Sequence, residues 1–195
     1  MRLRMRATFF TLLLSGVLLV GAAGCGEAPE SPGEVGPDSS TGTSTTGDVK
    51  IGALGERRNP IPLGQEAEVG DWKVKVVGAI LDATRLVLET NMFNDPPEAG
   101  RRYVLVSLEA TYVGKESSTF WLDMSYRFIG GKGDSFDTAA AVAPDSIMDE
   151  GEVSPGACIT GNLVFEVASD QLSGGTLLLE EAFSFEQTRV FFALQ

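Results

Sequence analysis

Few side chains in this sequence are equipped for chemistry. It has no histidine, which removes Ser-His-Asp and Cys-His pairs and any histidine-ligated zinc or iron site. Cys158 has no histidine to activate it. Its strand phase sets it with Thr160 and Asn162, opposite Leu163 and Phe165, so we read it as an inert small residue partly covered by a neighbouring segment. Exposure would instead favour an intermolecular disulfide. The 27 acids form no motif of paired carboxylates for glycoside hydrolysis. Asp145, Asp149, Glu150 and Glu152 gather oxygen ligands in one loop, but without the alternating spacing and central glycine of a calcium loop. A solvated acidic loop is expected there, with no metal or cofactor and no catalysis. The side chains left are suited to contact. Met92 and Phe93 sit in Asn91-Met-Phe-Asn-Asp-Pro-Pro97 and either touch a partner or plug the end of a core. Trp121 falls on the polar side of its strand, for a protein or carbohydrate contact or under a covering loop.

The elements that hold these residues begin with a targeting segment. Arg2, Arg4 and Arg6 precede the apolar stretch Phe9 to Val20, and Ala22, Ala23 and Gly24 follow. This is the order of a signal peptide, and the apolar run is too short to span a bilayer. Ala22-Ala23-Gly24-Cys25 resembles the lipobox of bacterial lipoproteins. The resemblance implies cleavage between Gly24 and Cys25 and lipidation of Cys25, palmitate-type acyl chains holding the protein on the extracytoplasmic face of the cell membrane. Two acyl chains, at about 0.8 kcal/mol per buried CH₂, give a durable anchor. Residues 25–60 are rich in Gly, Pro, Ser, Thr and acid and read as a disordered tether. About 35 residues at 5–6 Å × √n give a reach of roughly 30–35 Å. Loss of residues 1–24 takes away three arginines and no acid. Of the 15 basic residues 12 then remain against 27 acids, and the net charge moves from −12 to −15. Nucleic acid is therefore not an expected partner.

Residues 61–195 change to a period of two. Trp72, Val74, Val76 and Ile80 share one face, with Lys73 and Lys75 opposite. Val104, Val106, Leu108, Ala110 and Tyr112 do the same, as do Phe120, Leu122, Met124, Tyr126 and Phe128. Leu163, Phe165 and Val167 follow, then Val190, Phe192 and Leu194. Such alternation marks half-buried strands. Gly and Pro turns at 95–100, 130–134, 154–157 and 173–175 separate them. Seven or eight short strands predict an all-β antiparallel sandwich, with a small β-barrel as the alternative.

Three segments carry a family resemblance: Val69-Gly70-Asp71-Trp72, Gly100 followed by Tyr103-Val104-Leu105-Val106, and Pro155-Gly156 leading to Gly161-Asn162-Leu163-Val164-Phe165-Glu166-Val167. In this order they resemble the telokin-like, immunoglobulin-like domain of unknown function of secreted Gram-positive lipoproteins, related in fold to a mycobacterial immunoprotective extracellular antigen. The chain departs from that pattern at Val113-Gly114-Lys115-Glu116, where the family often has asparagine. The resemblance implies a non-catalytic extracytoplasmic interaction module, bound to the bilayer by its acyl chains and to another surface protein or envelope component. The alternatives are a solute- or metal-binding accessory lipoprotein of a membrane complex and, behind it, an envelope hydrolase.

Overall fold

A computed structural model describes residues 53–183 and 188–195. The signal segment, Cys25 and residues 25–52 of the expected tether lie outside the described residues. The strands are β1 (Glu66–Val69), β2 (Trp72–Ile80), β3 (Arg101–Tyr112), β4 (Met124–Ile129), β5 (Ser135–Phe136), β6 (Cys158–Ala168), β7 (Thr176–Glu181) and β8 (Arg189–Ala193). Two short helices, α1 (Thr84–Thr90) and α2 (Phe120–Asp123), join them. The strands form two four-stranded sheets, ordered β1-β2-β3-β6 and β5-β4-β7-β8. Every pairing between them is antiparallel. The two sheets stay separate, so the fold is a β-sandwich and not a barrel.

Alternation places the core as the sequence indicates. Trp72, Val74, Val76, Val104, Val106, Leu108, Leu163 and Phe165 from the first sheet meet Phe128, Leu177, Leu179 and Phe192 from the second. Each such side chain contributes about 1.5–3 kcal/mol on full burial. The chain turns tightly between β1 and β2, where Val69 pairs with Trp72 and Gly70 takes φ +55°, a conformation costly for a residue with a Cβ.

Two expectations are corrected. A bulge shifts the register between Val76 and Gly78, after which Ala79 pairs with Val106 and Ile80 with Leu105. One inserted residue reverses the phase, so Ala79 packs on the core and Ile80 is exposed. Likewise residues 120–123 form a helical turn, with the Leu122 and Asp123 N–H groups donating to the Thr119 carbonyl at 3.0 and 3.1 Å. Phe120 and Met124, four apart, stay on one side under either period, whereas Leu122 turns outward and is exposed.

α1 was not legible as a stripe. It lies over the outer face of β3 and β6, where Ala83, Val87, Tyr103, Leu105, Ala143 and Val164 form a second, smaller core. That explains why Tyr103 to Val106 is apolar without a break: both of its faces are covered.

Two of the four sheet edges are covered too. Phe191 N–H donates to the Gly55 carbonyl at 2.8 Å, Ile61 N–H to Phe191 at 2.7 Å and Ala193 N–H to Ile61 at 2.8 Å, so residues 55–61 lie along β8. A strap through residues 139–147 lies along β6, with Ala139 N–H donating to Val164 and Asn162 N–H to Asp145. Gly161 permits the strap's approach, since a Cβ there would stand 2.6 Å from the Ile147 Cα. Of the other two edge strands, β5 has only two residues, and β1 is short and carries Glu66 and Glu68, which discourages pairing with another chain.

Candidate functional site

The structure separates the residues singled out for contact. Met92 and Phe93 belong to the α1 side of the molecule, and Trp121 lies on α2 at the end where β1 turns into β2 and β6 begins.

On the α1 side, the chain leaves β2 through Asp82, whose carboxylate accepts from Thr84 N–H at 3.4 Å and from Arg102. The Thr84 hydrogen bonds first, and then Arg102, hold that carboxyl below the usual aspartate range. Beyond the helix, Asn91 Oδ1 accepts from Phe93 N–H at 2.9 Å, a local turn typical of asparagine. Asn94 then acts as a clamp. Its Nδ2 donates to the Val87 and Val142 carbonyls at 2.7 and 2.9 Å, and its Oδ1 accepts from Val142 N–H at 2.8 Å. The Tyr103 hydroxyl donates to the Asp95 carbonyl at 2.9 Å. The loop backbone is thus fixed while Met92 and Phe93 stand 87% and 83% exposed. They plug nothing, because the space beneath is already filled by the small core around Val87 and Ala143.

Beside this loop a cleft of about 650 Å³ opens between α1 and the start of β3, lined by Asp82, Arg85, Leu88, Gly100, Arg101 and Arg102 among others. Each guanidinium has an acidic neighbour: Arg85 has Glu89 at 3.4 Å, Arg101 has Glu98 at 3.2 Å, and Arg102 has Asp82. All six side chains are well exposed, so these pairs are weak and exchangeable.

The α2 end is built on the main core. Asp123 Oδ2 accepts from Trp72 Nε1 and from Ser118 Oγ, both at 2.7 Å. The Trp72 ring lies 4.9 Å from Tyr112 and 5.1 Å from Phe120, centroid to centroid. Burial pushes the Tyr112 phenol up, with Asp71 and Asp123 adding to it. Above this support Trp121 is 44% and Leu122 51% exposed. The Ala182 N–H donates to the Asp123 carbonyl at 2.7 Å and so brings Phe183, 96% exposed, to the same end. Sequence reasoning misses Phe183. It takes φ +63° in a turn unmarked by Gly, Pro or Asn, a conformation costing on the order of 1–3 kcal/mol for such a residue.

Cys158 is exposed, which corrects the expectation that a neighbouring segment covers it. It pairs with Thr111 on the outer face of the first sheet, beyond the part that α1 covers, near Lys75, whose ammonium donates to Glu109 at 2.6 Å. The acids after Asp145 are exposed. Ser146 accepts from Met148 N–H at 3.2 Å and Glu152 from Ser117. Among the described residues no three His, Cys, Asp or Glu side chains are grouped to hold a metal ion. Nor, among them, is any helix long and apolar enough to cross a membrane.

No family model matches the chain, and no curated protein matches it. Among solved structures it is similar to a conserved hypothetical protein from Bacillus anthracis, at 12% identity and TM-score 0.44 over 68% of this chain and 95% of that one. An uncharacterised β-sandwich protein from Clostridium difficile aligns at 8% identity and TM-score 0.42 over 70% and 95%. A candidate lipoprotein from Bacillus subtilis aligns at 14% identity and TM-score 0.41 over 65% and 37%.

Proposed function

We propose that this chain is a lipoprotein, anchored through Cys25 on the extracytoplasmic face of a bacterial membrane, whose telokin-like, immunoglobulin-like sandwich is a non-catalytic interaction module. The observation that carries the proposal is that apolar side chains are held in solvent on fixed backbones. Trp121 and Leu122 stand on a helical turn bonded to the core, and Met92 and Phe93 on a loop clamped by Asn94. Ordering such side chains in advance lowers the entropy lost on association, and aromatic residues of this kind anchor protein interfaces. The anchor is supported by Ala22-Ala23-Gly24-Cys25 and the apolar run before it.

Two measurements test the two halves. Cells fed an alkyne-tagged palmitate should label the native chain and not Cys25→Ser, and Cys25→Ser should leave the membrane fraction. Equal labelling or unchanged fractionation overturns the anchor. A photo-crosslinking amino acid at Trp121 in intact cells should give one discrete adduct, lost when Leu122→Ser is added. No adduct, or an adduct indifferent to Leu122→Ser, overturns the contact role of α2.

A further inference from the structure

Exposed apolar side chains gather at the α2 end. Trp121 and Leu122 stand on α2, and Met148 is exposed on the helical turn Ile147–Asp149 that packs against it. Ala182 lies opposite Asp123, one step beyond the Met124–Glu181 pair, which sets Phe183 alongside. Acids frame this patch. Asp149 and Glu150 follow Met148 directly, Glu181 precedes Ala182, and Glu152 accepts from Ser117 just ahead of α2. Beside Ser117 and Ser118 a cleft of about 590 Å³ is lined by Asp71, Tyr112, Lys115 and Glu116 among others. Of the cations at this end, Lys73 faces Glu66 and Glu68, and Arg189 faces Glu180. Lys115 is left against Asp71, Glu116, Asp149, Glu150 and Glu181, none of which enters an ion pair among the described residues. The negative excess is thus uncompensated where the apolar surface is bare.

Charge decides what can cover such a patch. Residues 25–52 carry Glu27, Glu30, Glu34, Asp38 and Asp48 against Lys50, so they are repelled from it. A second copy would bring the same acids, or an α1 side whose three cleft arginines already have acids of their own. An anionic bilayer is repelled as well. The occupant that fits is a protein surface of opposite sign.

We infer that the α2 end takes a cationic segment of another protein, whose apolar side chains pack on Trp121, Leu122 and Met148 while an arginine or lysine enters the cleft at Asp71 and Glu116. This deepens the interaction-module reading and rests on it. Interfaces concentrate their affinity in a few apolar anchors ringed by polar groups, and a rim of opposite charge adds specificity and speeds encounter. Arginine gains most here, because its planar fork meets a carboxylate through two bonds at once.

The test reads the emission of Trp121. Full-length protein is reconstituted into phosphatidylcholine vesicles, which carry no net charge, and titrated with the blocked peptides Arg-Leu-Arg-Leu-Arg, Gln-Leu-Gln-Leu-Gln and Arg-Ser-Arg-Ser-Arg. The buried Trp72 gives a constant background. The Arg-Leu peptide should shift Trp121 to the blue and saturate, and the other two should bind roughly tenfold more weakly, as should the Arg-Leu peptide to Leu122→Ser. Asp71→Asn with Glu116→Gln, and Asp149→Asn with Glu150→Gln, should each weaken it by about fivefold, the upper value of one exposed ion pair. Glu89→Gln with Glu98→Gln, on the α1 side, should leave it unchanged, and high salt should weaken it. No shift with the Arg-Leu peptide, or equal binding of the Gln-Leu peptide, overturns the cationic partner. Equal binding of the Arg-Ser peptide overturns the apolar anchors, and the same loss from the Glu89 and Glu98 changes overturns the site. If the peptide fails while the adduct at Trp121 still forms in cells, the surface takes a partner of other chemistry; if both fail, the contact reading falls as well.

Discussion

Met92–Phe93 and Trp121–Leu122 are both apolar pairs left in solvent, but their supports are different. α2 stands on the main core: Phe120 is buried beneath it, and Asp123 ties it to Trp72 and Ser118. The loop after α1 rests on a small satellite core and is held by an asparagine bonded to two backbone segments. The first pair can move only if the sandwich loosens. The second can loosen by itself, because local opening needs only the disruption of the few contacts beneath it. A surface that meets a rigidly shaped partner gains from the first construction, and one that adjusts to its partner gains from the second.

The comparison is sharpest where the cores are cut. Phe120→Ala should lower unfolding stability by about 3–5 kcal/mol, read as a shifted urea midpoint with all probes coincident. Asp123→Ala should cost about 1–3 kcal/mol by leaving the Trp72 N–H buried and unpaired, and the shift should appear in tryptophan emission. Val87→Ala removes the equivalent of two methylene groups, about 1.6 kcal/mol at 0.8 each. Amide exchange should quicken in α1 and the loop after it while β3 and β6 stay protected. If the whole sandwich exchanges instead, the two cores are one cooperative unit and the contrast fails.

Acid should loosen the α1 side. The Asp82 carboxyl is held below its ordinary range in the folded chain. Its stabilising share is therefore complete above the unfolded value, about 3.9, and disappears as pH falls through the lower folded value. Exchange in α1 should rise through that window in the native chain and be insensitive to it in Asp82→Asn. The smallest effect on stability belongs to Met92→Ser, within about 0.5 kcal/mol as for other exposed positions, measured as an unchanged urea midpoint.

Much of the sandwich was legible because its strands are covered on one side and solvated on the other. The run from Val106 to Tyr112, with Ser107, Glu109 and Thr111 facing outward, could take only one phase, and it carried that phase into Tyr103 to Val106 and Leu163 to Phe165, which are covered on both faces. The missed features have specific reasons. The bulge at Val77 is marked by Gly78, an isolated glycine within the strand, and was missed because the alternation was carried straight through it to Ile80. Phe120 and Met124 satisfy helical and extended spacing alike, so the turn of α2 was hidden by its two buried residues. α1 has one fully buried side chain, Val87, too little to give a stripe. Met92 and Phe93 were found as apolar residues within turn chemistry, and Trp121 as an aromatic residue out of phase with its neighbours. Their opposite placement, the arginine cleft and Phe183 depend on pairings remote in sequence, which local pattern does not encode.

The hydrogen bonds by which residues 55–61 lie along β8 have a mechanical meaning. Any tension on residues 1–52 enters the sandwich through Gly55 and Ile61, whose bonds to Phe191 and Ala193 are among the first to bear load. Ile61 is aligned parallel to Phe192, so a pull towards the N-terminus shears this short seam before it reaches the paired strands behind it. A domain gripped at its α2 end and dragged by its N-terminus would yield at that seam first, with both sheets still closed.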